Sequence, residues 1–329
     1  MRLPSLSSLL CLAGLASLPV TTAYDGGDPN IKSIPLRTHS LAPPYLDSDF
    51  QSRWFDFGGD TIIRADKYIR LTSDRASQQG WIFSRVPLTA TNWQIELEFA
   101  IHGEGNLHGD GFALWLTKQR ATQGPVFGSA DKFEGLGIFF DTYKNNRPGT
   151  SFPYVMAMMG DGQTTYDQAH DGKANELAGC SARGIRSAQI ATKARLTYFQ
   201  DKSLTLDLQY KTEDAWTNCF TLSADEANIA IPSVAYLGLS AETGELSDAH
   251  DIISLKAENL YSISRGQNNA GSRGPSSDGR TSNKFPPKKD TGGGGWLWFL
   301  FKTVLFFAAI GGGYMGWTIY RTKARSSRF

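Results

Sequence analysis

Two segments of this chain alternate apolar and polar residues, a pattern typical of β-strands that bury one face. Between Trp93 and His102, a tryptophan, two isoleucines, a leucine and a phenylalanine fall on one side, and mostly polar residues fall on the other. Residues 204–210 repeat this pattern. Because successive side chains of a strand point to opposite faces, both segments are predicted to be half-buried antiparallel strands. No long segment has the 3.6-residue period of a helix.

Other segments are apolar without interruption, as in strands buried on both faces. Such runs occupy residues 112–116, 136–140 and 154–159. Further strands are predicted at residues 68–71, 81–86, 195–199, 236–241 and 252–260. Glycine, aspartate, asparagine and proline, the usual turn residues, separate these segments. Many short strands divided by turn signals predict an all-β fold, an antiparallel β-sandwich of the jelly-roll kind.

The first 23 residues have the features of a secretory signal peptide. Arg2 gives a short basic start, residues 9–16 form an apolar core, and the small residues 21–23 offer a cleavage site. An uncleaved anchor helix is the alternative, but the apolar run is short. We therefore predict a signal peptide at 1–23 and a chain that enters the secretory pathway.

A second apolar segment near the C-terminus is long enough to cross a membrane. Residues 296–320 are apolar except for Lys302 and a few small residues, and about 20 apolar residues cross a bilayer core. The segment 321–329 carries four cationic and no acidic residues, which favours a cytosolic location. The sequence predicts one C-terminal transmembrane helix at 296–320 and a cytoplasmic tail at 321–329 in a single-pass type I membrane protein.

The region between the two apolar ends divides into a domain and a linker. Residues 262–295 are rich in glycine, serine, asparagine and lysine, a composition that cannot bury a core and predicts a flexible stalk. Residues 24–261 are predicted to form the lumenal domain. The formal net charge of +1 gives no electrostatic reason to expect a nucleic-acid partner.

The three cysteines predict one disulfide bond. Cys11 lies in the signal peptide, so Cys180 and Cys219 remain as a pair in an oxidising compartment. Two separate free thiols are the alternative.

Oxygen-bearing side chains near two loops suggest a metal site. An apolar run ends abruptly at Asp141, Asn145 follows four residues later, and Asp171 closes a second loop. These side chains, with the carbonyl of Tyr143, can converge on one hard cation, and an oxygen-only set suits Ca²⁺. The alternative is that aspartate and asparagine occupy these turns for ordinary conformational reasons.

Several longer motifs resemble one family. They are Gly-Trp to Arg-Val-Pro at 80–87, Leu-His-Gly-Asp-Gly-Phe-Ala-Leu-Trp at 107–115, Phe-Asp-Thr-Tyr at 140–143, Glu-Leu-Ala-Gly-Cys at 176–180 and Gly-Glu-Leu-Ser-Asp-Ala-His-Asp at 244–251. Together they resemble the L-type (legume-lectin-like) cargo lectins of the early secretory pathway, from about Ile34 to Tyr261. The short stalk without a coiled coil makes the chain more similar to the vesicular integral membrane type. The resemblance implies a legume-lectin-like β-sandwich.

The resemblance also implies which residues bind ligands. Calcium ligands are expected at Asp141, Tyr143 through its carbonyl, Asn145 and Asp171. Contacts to mannose are expected at Ser77, Asp110, Asn145, Gly244, Glu245 and Leu246. The Asp110 carboxylate would accept hydrogen bonds from sugar hydroxyls, and the peptide bond between Gly109 and Asp110 is expected to be cis.

One position departs from the family pattern. Gln168 stands where the family usually has histidine, and His170 lies immediately before Asp171 instead. Gln168 can still hydrogen-bond a sugar hydroxyl, but it cannot titrate near neutral pH. The role of the family histidine in affinity and in pH response is therefore not carried over to this chain.

The expected function is that of a non-enzymatic receptor for glycoproteins. The lumenal domain would bind high-mannose cargo between the endoplasmic reticulum, the intermediate compartment and the Golgi, in transport or quality control. The tail would engage vesicle coat proteins, with Phe329 resembling the family's hydrophobic export signal. The alternatives are an adaptor or regulator that binds no sugar, and a jelly-roll glycoside hydrolase. Against the hydrolase, Glu96 and Glu98 share a strand without the further carboxylate that such enzymes carry there.

Overall fold

Strands make up nearly all of the regular structure in the computed structural model. It describes residues 30–225, 227–262 and Trp317. The chain divides into two units, 1–266 and 267–329, and in the second unit Trp317 alone is described, in helical conformation. Within the described residues, no helix has the length and apolar composition needed to cross a membrane. The predicted signal peptide, the membrane span except Trp317, the tail with Phe329, and the stalk beyond Ser262 lie outside the described residues.

The strands and short helices of the first unit follow one another along the chain. The strands are β1 (Ile31–Pro35), β2 (Phe55–Gly59), β3 (Ile62–Arg64), β4 (Tyr68–Thr72), β5 (Gln79–Ser84), β6 (Asn92–His102), β7 (Gly111–Thr117), β8 (Glu134–Asp141), β9 (Tyr154–Asp161), β10 (Ala178–Ser181), β11 (Thr192–Phe199), β12 (Ser203–Gln209), β13 (Thr217–Ser223), β14 (Tyr236–Glu242) and β15 (Ala249–Ser262). Two 3₁₀ helices span Arg37–His39 and Gln168–His170.

The strands form two antiparallel sheets, as the sequence predicts. One sheet has the order β13-β12-β11-β6-β15-β4-β3, with β1 also paired to β15, and the other has the order β10-β9-β8-β7-β14-β5-β2. All ten predicted strands are confirmed, with ends that differ by three residues or fewer. The prediction omits β1, β2, β3, β10 and β13. Most of these are edge strands with exposed positions, so their sequences lack a clean apolar alternation.

The apolar core lies in two layers. Between the sheets, the rings of Phe112 and Phe140 stack with centroids 4.4 Å apart, and Phe99 from the opposite sheet meets Phe112 edge-on at 4.8 Å. On the other side of the seven-stranded sheet, the loop 118–133 and the loop 162–177 add aromatic side chains that cover Trp115 and its neighbours. The sheet is therefore buried on both faces. This burial explains the uninterrupted apolar sequences of its central strands.

The predicted disulfide bond is present. Cys180 on β10 and Cys219 on β13 are bonded, with their Cα atoms 5.2 Å apart. These strands are the neighbouring edges of the two sheets, so the bond closes one side of the sandwich. A cross-link over a loop of this length stabilises the folded domain by about 3–4 kcal/mol.

A neutral histidine is buried inside the sandwich. His250 on β15 is 1% exposed, and burial lowers the pKa of its imidazole to about 3. Its Nδ1 lies 2.7 Å from the hydroxyl of Thr72, and among the described residues its Nε2 has no hydrogen-bond partner. The folded domain therefore resists protonation of a group that titrates near pH 6.5 in the unfolded chain.

This histidine predicts acid sensitivity of the fold. Below pH 6.5 the unfolded chain binds a proton that folded His250 does not, so stability falls by about 1.4 kcal/mol per pH unit until about pH 3. Urea unfolding at pH 7 and pH 5 should show wild type losing about 2 kcal/mol more than His250→Gln. Equal losses in the two proteins would contradict the prediction.

Candidate functional site

A pocket of about 280 Å³ lies at one end of the seven-stranded sheet. Its walls come from the ends of β7, β8 and β14 and from the two loops that cover the sheet. The residues lining it are Asp110, Pro125, Phe127, Asp141, Tyr143, Asn145, Tyr166, Gln168 and Glu242. Strand pairing brings these ends together, because Gly111 faces Asp141 on one side and Glu242 on the other.

Asp110 is held by backbone contacts on both sides. Its N–H donates to the carbonyl of Glu242 at 3.2 Å, and its carbonyl accepts from the N–H of Thr142 at 3.0 Å. The Gly109–Asp110 peptide bond is cis, as predicted. A Cβ at position 109 would lie only 3.0 Å from the Cβ of Tyr143, so the close approach of these loops favours glycine. The backbone thus aims the Asp110 side chain into the pocket.

The environment of the Asp110 carboxyl disfavours its charged form. Burial, and then the nearby Glu242 carboxylate, raise the pKa of Asp110 to about 6, while the backbone N–H of Gly244 acts in the opposite direction. A Cβ at position 244 would lie 3.1 Å from Oδ2 of Asp110. The carboxylate is therefore partly desolvated and lies against a glycine, as a group that receives hydrogen bonds from a ligand would.

A second group of oxygen atoms includes Asp141 and Asn145, which line the same pocket, and Asp171, which contacts Asn145 without lining the pocket. Asp141 is 6% exposed and Asp171 is 2% exposed. The N–H of Tyr143 donates to Oδ1 of Asp141 at 3.0 Å. Asn145 donates to Oδ1 of Asp171 through its backbone N–H at 3.0 Å and through Nδ2 at 2.7 Å. The structure therefore brings all four predicted metal ligands to one place.

The charges of this group suit a divalent cation. Burial, and then the charge of Asp171, raise the pKa of Asp141 well above its usual range. The two buried carboxylates repel each other, and a bound cation would offset this repulsion. Among the described residues, no cluster of three or more histidine, cysteine, aspartate or glutamate side chains could hold a metal. The set instead combines two carboxylates with an amide and a carbonyl, which is an oxygen chemistry suited to Ca²⁺.

A buried arginine supports Asp171 from behind. Arg147 is 4% exposed, and its Nη1 donates to the carbonyl of Asp171 at 3.0 Å. It also forms an ion pair with Glu176, which in turn accepts a hydrogen bond from the hydroxyl of Tyr154 at 2.6 Å. Asp171 has a left-handed backbone with φ of 51°, so its orientation depends on such contacts.

The remaining predicted site residues lie at or beside the rim. The exposed Gln168 lines the pocket, and its Nε2 donates to the carbonyl of Pro125. Ser77 is exposed, and its N–H donates to the carbonyl of Gly244 at 2.9 Å. Ser77, Gly244, Glu245 and Leu246 do not line the pocket itself. The loop 243–248 and the loop 73–78 therefore form a rim beside Asp110.

Four residues that line the pocket were not predicted from the sequence. They are Pro125, Phe127, Tyr166 and Glu242. Glu242 is tied to Gln79, whose Nε2 donates to its Oε1 at 2.9 Å, and to the N–H of Gly128 at 3.2 Å. The signal that could have found Glu242 is its position at the end of an apolar strand, two residues before the Gly-Glu-Leu-Ser motif. The others come from covering loops, whose path over the sheet has no sequence signature.

Comparison with known proteins identifies the family. A model of the legume-like lectin family matches residues 32–267. The chain belongs to this family. VIP36 of Homo sapiens, a vesicular integral-membrane protein, is 41% identical to this lectin over 254 residues, which are 75% of this chain and 67% of VIP36. An L-type lectin-like domain-containing protein of Schizosaccharomyces pombe is 40% identical over 230 residues, which are 69% of this chain and 72% of that protein.

A solved structure matches this lectin in fold as well as in sequence. The exoplasmic, lumenal domain of VIP36 bound to Ca²⁺ and Man3GlcNAc has a TM-score of 0.63 and 39% identity, covering 70% of this chain and 91% of that domain. This lectin is therefore an L-type lectin similar to VIP36, with the all-β legume-lectin-like sandwich that the sequence predicts.

The glutamates considered for a hydrolase lie elsewhere in this lectin. Glu96 and Glu98 are on β6 in the other sheet, and neither lines the pocket. Nε of Arg195 lies 3.3 Å from Glu96, and the Ser254 hydroxyl donates to Glu98 at 3.3 Å. Both carboxylates therefore serve cross-strand pairs, as exposed strand faces commonly do.

Proposed function

We propose that residues 24–261 form a calcium-dependent lectin domain that binds high-mannose N-glycans. In this proposal the protein is a single-pass type I membrane receptor that carries glycoprotein cargo between the endoplasmic reticulum and the Golgi, and it is not an enzyme. The observation that carries the proposal is that one pocket is lined by Asp110, Asp141 and Asn145, with Asn145 bonded to the buried Asp171. The proposal gains support from VIP36, whose lumenal domain is described with Ca²⁺ and Man3GlcNAc.

The pocket offers complementary groups for a mannose residue. Vicinal hydroxyls both donate and accept hydrogen bonds, so the Asp110 carboxylate can accept from two of them. Asn145 has an amide oxygen for the cation and, since one amide hydrogen is donated to Asp171, a second amide hydrogen for the sugar. Ser77, Gln168 and the backbone of Gly244, Glu245 and Leu246 would complete the contacts at the rim.

Calcium would be held by Asp141, Asp171, Asn145 and the carbonyl of Tyr143. When bound, it supplies positive charge that offsets the repulsion between the two buried carboxylates. The loop 142–153 and the loop 162–177 would then keep one arrangement, with Asn145 directed at the sugar. Arg147 contributes by holding the backbone of Asp171 in place.

Glycan binding is predicted to weaken in acid through Asp110. Its raised pKa of about 6 means that the charged acceptor is present above pH 6 and is lost as the pH falls through this value. A nearby dication favours the carboxylate, so saturating calcium should move the loss to lower pH. Glycan affinities between pH 5 and pH 8, at low and saturating calcium, test this.

Substitution of the exposed His170 with glutamine is the control for this pH effect. The His170 ring bonds Asp167 and does not line the pocket, so the variant should keep the wild-type pH profile. A sharp loss of binding between pH 7 and pH 6 at saturating calcium would contradict the expected calcium effect.

The C-terminal tail is proposed to engage vesicle coat proteins, with Phe329 as the export signal. Residues 321–329 combine basic residues with this terminal phenylalanine. Appending one serine after Phe329 should slow exit from the endoplasmic reticulum, because the terminal position of the signal is lost. Pulse-chase of the full chain measures this rate, and unchanged exit would mean that the basic residues serve topology alone.

The experiment that tests the proposed function is glycan binding by purified residues 24–262. High-mannose oligosaccharide is offered with calcium or with a chelator, and the bound sugar is recovered and sized. Calcium-dependent binding with intact sugar supports the lectin. Shortened sugar would indicate a hydrolase. Absence of binding under all conditions would indicate an adaptor that recognises protein cargo, and cargo capture that survives mannosidase treatment would indicate the same.

A further inference from the structure

A buried ion pair lies beside the pocket without lining it. Asp248 is completely buried, and Arg186 is also largely covered, with 17% of its side chain exposed. Nε of Arg186 lies 3.0 Å from both carboxylate oxygens of Asp248, and Nη2 lies 2.9 Å from Oδ1. Such a bidentate, charge-assisted pair fixes geometry as well as contributing energy.

The same guanidinium reaches a second loop. Its Nη2 donates to the carbonyls of Gly103 and Gly105, at 3.2 and 3.0 Å. These glycines begin the loop that leads to Asp110. A Cβ at position 103 would lie 2.5 Å from Oδ1 of Asp248, so the loop approaches the carboxylate directly. Arg186 and Asp248 thus join the loop 103–109 to the loop 243–248.

A third loop attaches to these two through Asp74. Its carboxylate accepts from the hydroxyl of Ser247 at 2.6 Å and from the N–H of Glu104 at 2.8 Å. These hydrogen bonds lower the pKa of Asp74, so it stays charged at neutral pH. Asp74 lies on the loop 73–78, whose Ser77 donates its N–H to the carbonyl of Gly244 at 2.9 Å. One polar cluster therefore connects three loops at the pocket rim.

We propose that Arg186 is a positioning residue for the carbohydrate site, acting through Asp248 on the three rim loops. This inference rests on the proposed function, since these loops carry Ser77, Asp110 and the segment 244–246. Arg186 itself touches no sugar. Its contacts order the loops before the ligand arrives, so that binding does not have to order them.

The contacts of Arg186 lie on the side of the proposed sugar contacts and not on the side of the proposed calcium ligands. Arg186 contacts the loops 103–109 and 243–248 and reaches the loop 73–78 through Asp74, whereas the proposed calcium ligands lie at the end of β8, on the loop after it and on the loop before β10. Loss of Arg186 should therefore weaken the sugar site and leave calcium affinity unchanged. Fixing the backbone of one residue costs conformational entropy that is equivalent to about a 5- to 30-fold change in an equilibrium constant. Without Arg186, sugar binding would have to include this cost.

The test uses the full chain in detergent. Arg186→Met keeps the aliphatic bulk and removes all the hydrogen bonds, and it should weaken mannose-oligosaccharide binding at least about tenfold while the calcium dissociation constant stays within twofold. Arg186→Lys keeps the charge and should recover part of the affinity. If Arg186→Met fails to fold, Asp74→Ala tests the third loop, because Asp74 is only partly buried and its replacement is better tolerated. It should weaken glycan binding about threefold to tenfold.

Arg195→Met is the matched control. Arg195 is buried to a similar degree, with 13% of its side chain exposed, and it pairs with Glu96 in the other sheet. This variant should lose stability without loss of glycan affinity. Equal glycan loss in Arg195→Met and Arg186→Met would overturn the proposal, as would unchanged affinity in both Arg186→Met and Asp74→Ala.

Amide hydrogen exchange provides a readout that needs no ligand. In Arg186→Met, exchange should accelerate at residues 103–110 and 243–248, and it should stay unchanged at 143–150. If wild type binds no glycan, the proposed function fails while exchange still decides whether Arg186 orders these loops. Exchange that matches wild type at both segments would overturn the positioning role.

Discussion

Replacing Asp141 with asparagine is expected to abolish stabilisation by calcium and to make the calcium-free domain more stable. The first effect follows because one of two carboxylate ligands is lost. The second follows because burial and the charge of Asp171 raise the pKa of Asp141 well above its usual range, so the carboxylate destabilises the empty site. Removal of this repulsion should raise the free energy of unfolding of the calcium-free domain.

Thermal or urea unfolding with calcium and with chelator measures both effects. Wild type should gain about 2.7 kcal/mol when calcium is present at 100 times its dissociation constant, and Asp141→Asn should gain almost nothing. Asp201→Asn is the control, because Asp201 is exposed in the turn between β11 and β12 and has a left-handed backbone that asparagine also adopts. A calcium response retained by Asp141→Asn would refute the assigned ligand set.

Substitution of Asp110 with asparagine is expected to remove glycan binding while calcium binding persists. Hydrogen bonds to a charged acceptor contribute about 1.5–3 kcal/mol each, so loss of two should weaken binding about 100-fold or more. The empty domain should not be destabilised. The raised pKa of about 6 shows that the folded domain disfavours the charged form of Asp110, because the carboxyl is buried and because Glu242 lies nearby.

Calorimetric titration with mannose oligosaccharide and with calcium separates the two binding functions proposed for the pocket. Glu245→Gln is the matched control, since Glu245 is exposed, does not line the pocket, and would contribute through its backbone. It should bind glycan as wild type does. If Asp110→Asn bound glycan within a few-fold of wild type, Asp110 would not be the principal sugar acceptor.

Much of the sandwich could be read from local patterns. The alternation in β6 and β12 and the apolar runs in β7, β8 and β9 each predict a strand, and each strand is present. Edge strands such as β10 and β13 were not predicted, because a strand paired on one side and partly exposed needs no regular apolar face. Within residues 30–225 and 227–262 the helices are short 3₁₀ turns, which leave no helical period in the sequence.

The candidate site was predictable only where its residues end apolar strands or stand in recognisable motifs. Asp110, Asp141, Asn145 and Asp171 belong to this class, and the structure brings them together. Arg147 and Arg186 do not belong to it, and Glu242, although it ends an apolar strand, stands outside the recognised motifs. Each acts through a contact with residues 24 or more positions away in the chain, such as the bond from Arg147 to the carbonyl of Asp171.

The amino-acid sequence was sufficient for the fold class, the pairing of Cys180 with Cys219 and the choice of oxygen-bearing residues as predicted metal ligands. Those features depend on residue type, on short-range spacing and, for the disulfide bond, on only two cysteines remaining after the predicted signal peptide. The depth of the pocket, the raised pKa of Asp110 and the connection of three rim loops through Asp248 were decided by tertiary structure. Burial and electrostatic coupling depend on which distant segments pack together, and only the register of the two sheets places Gly111 between Asp141 and Glu242.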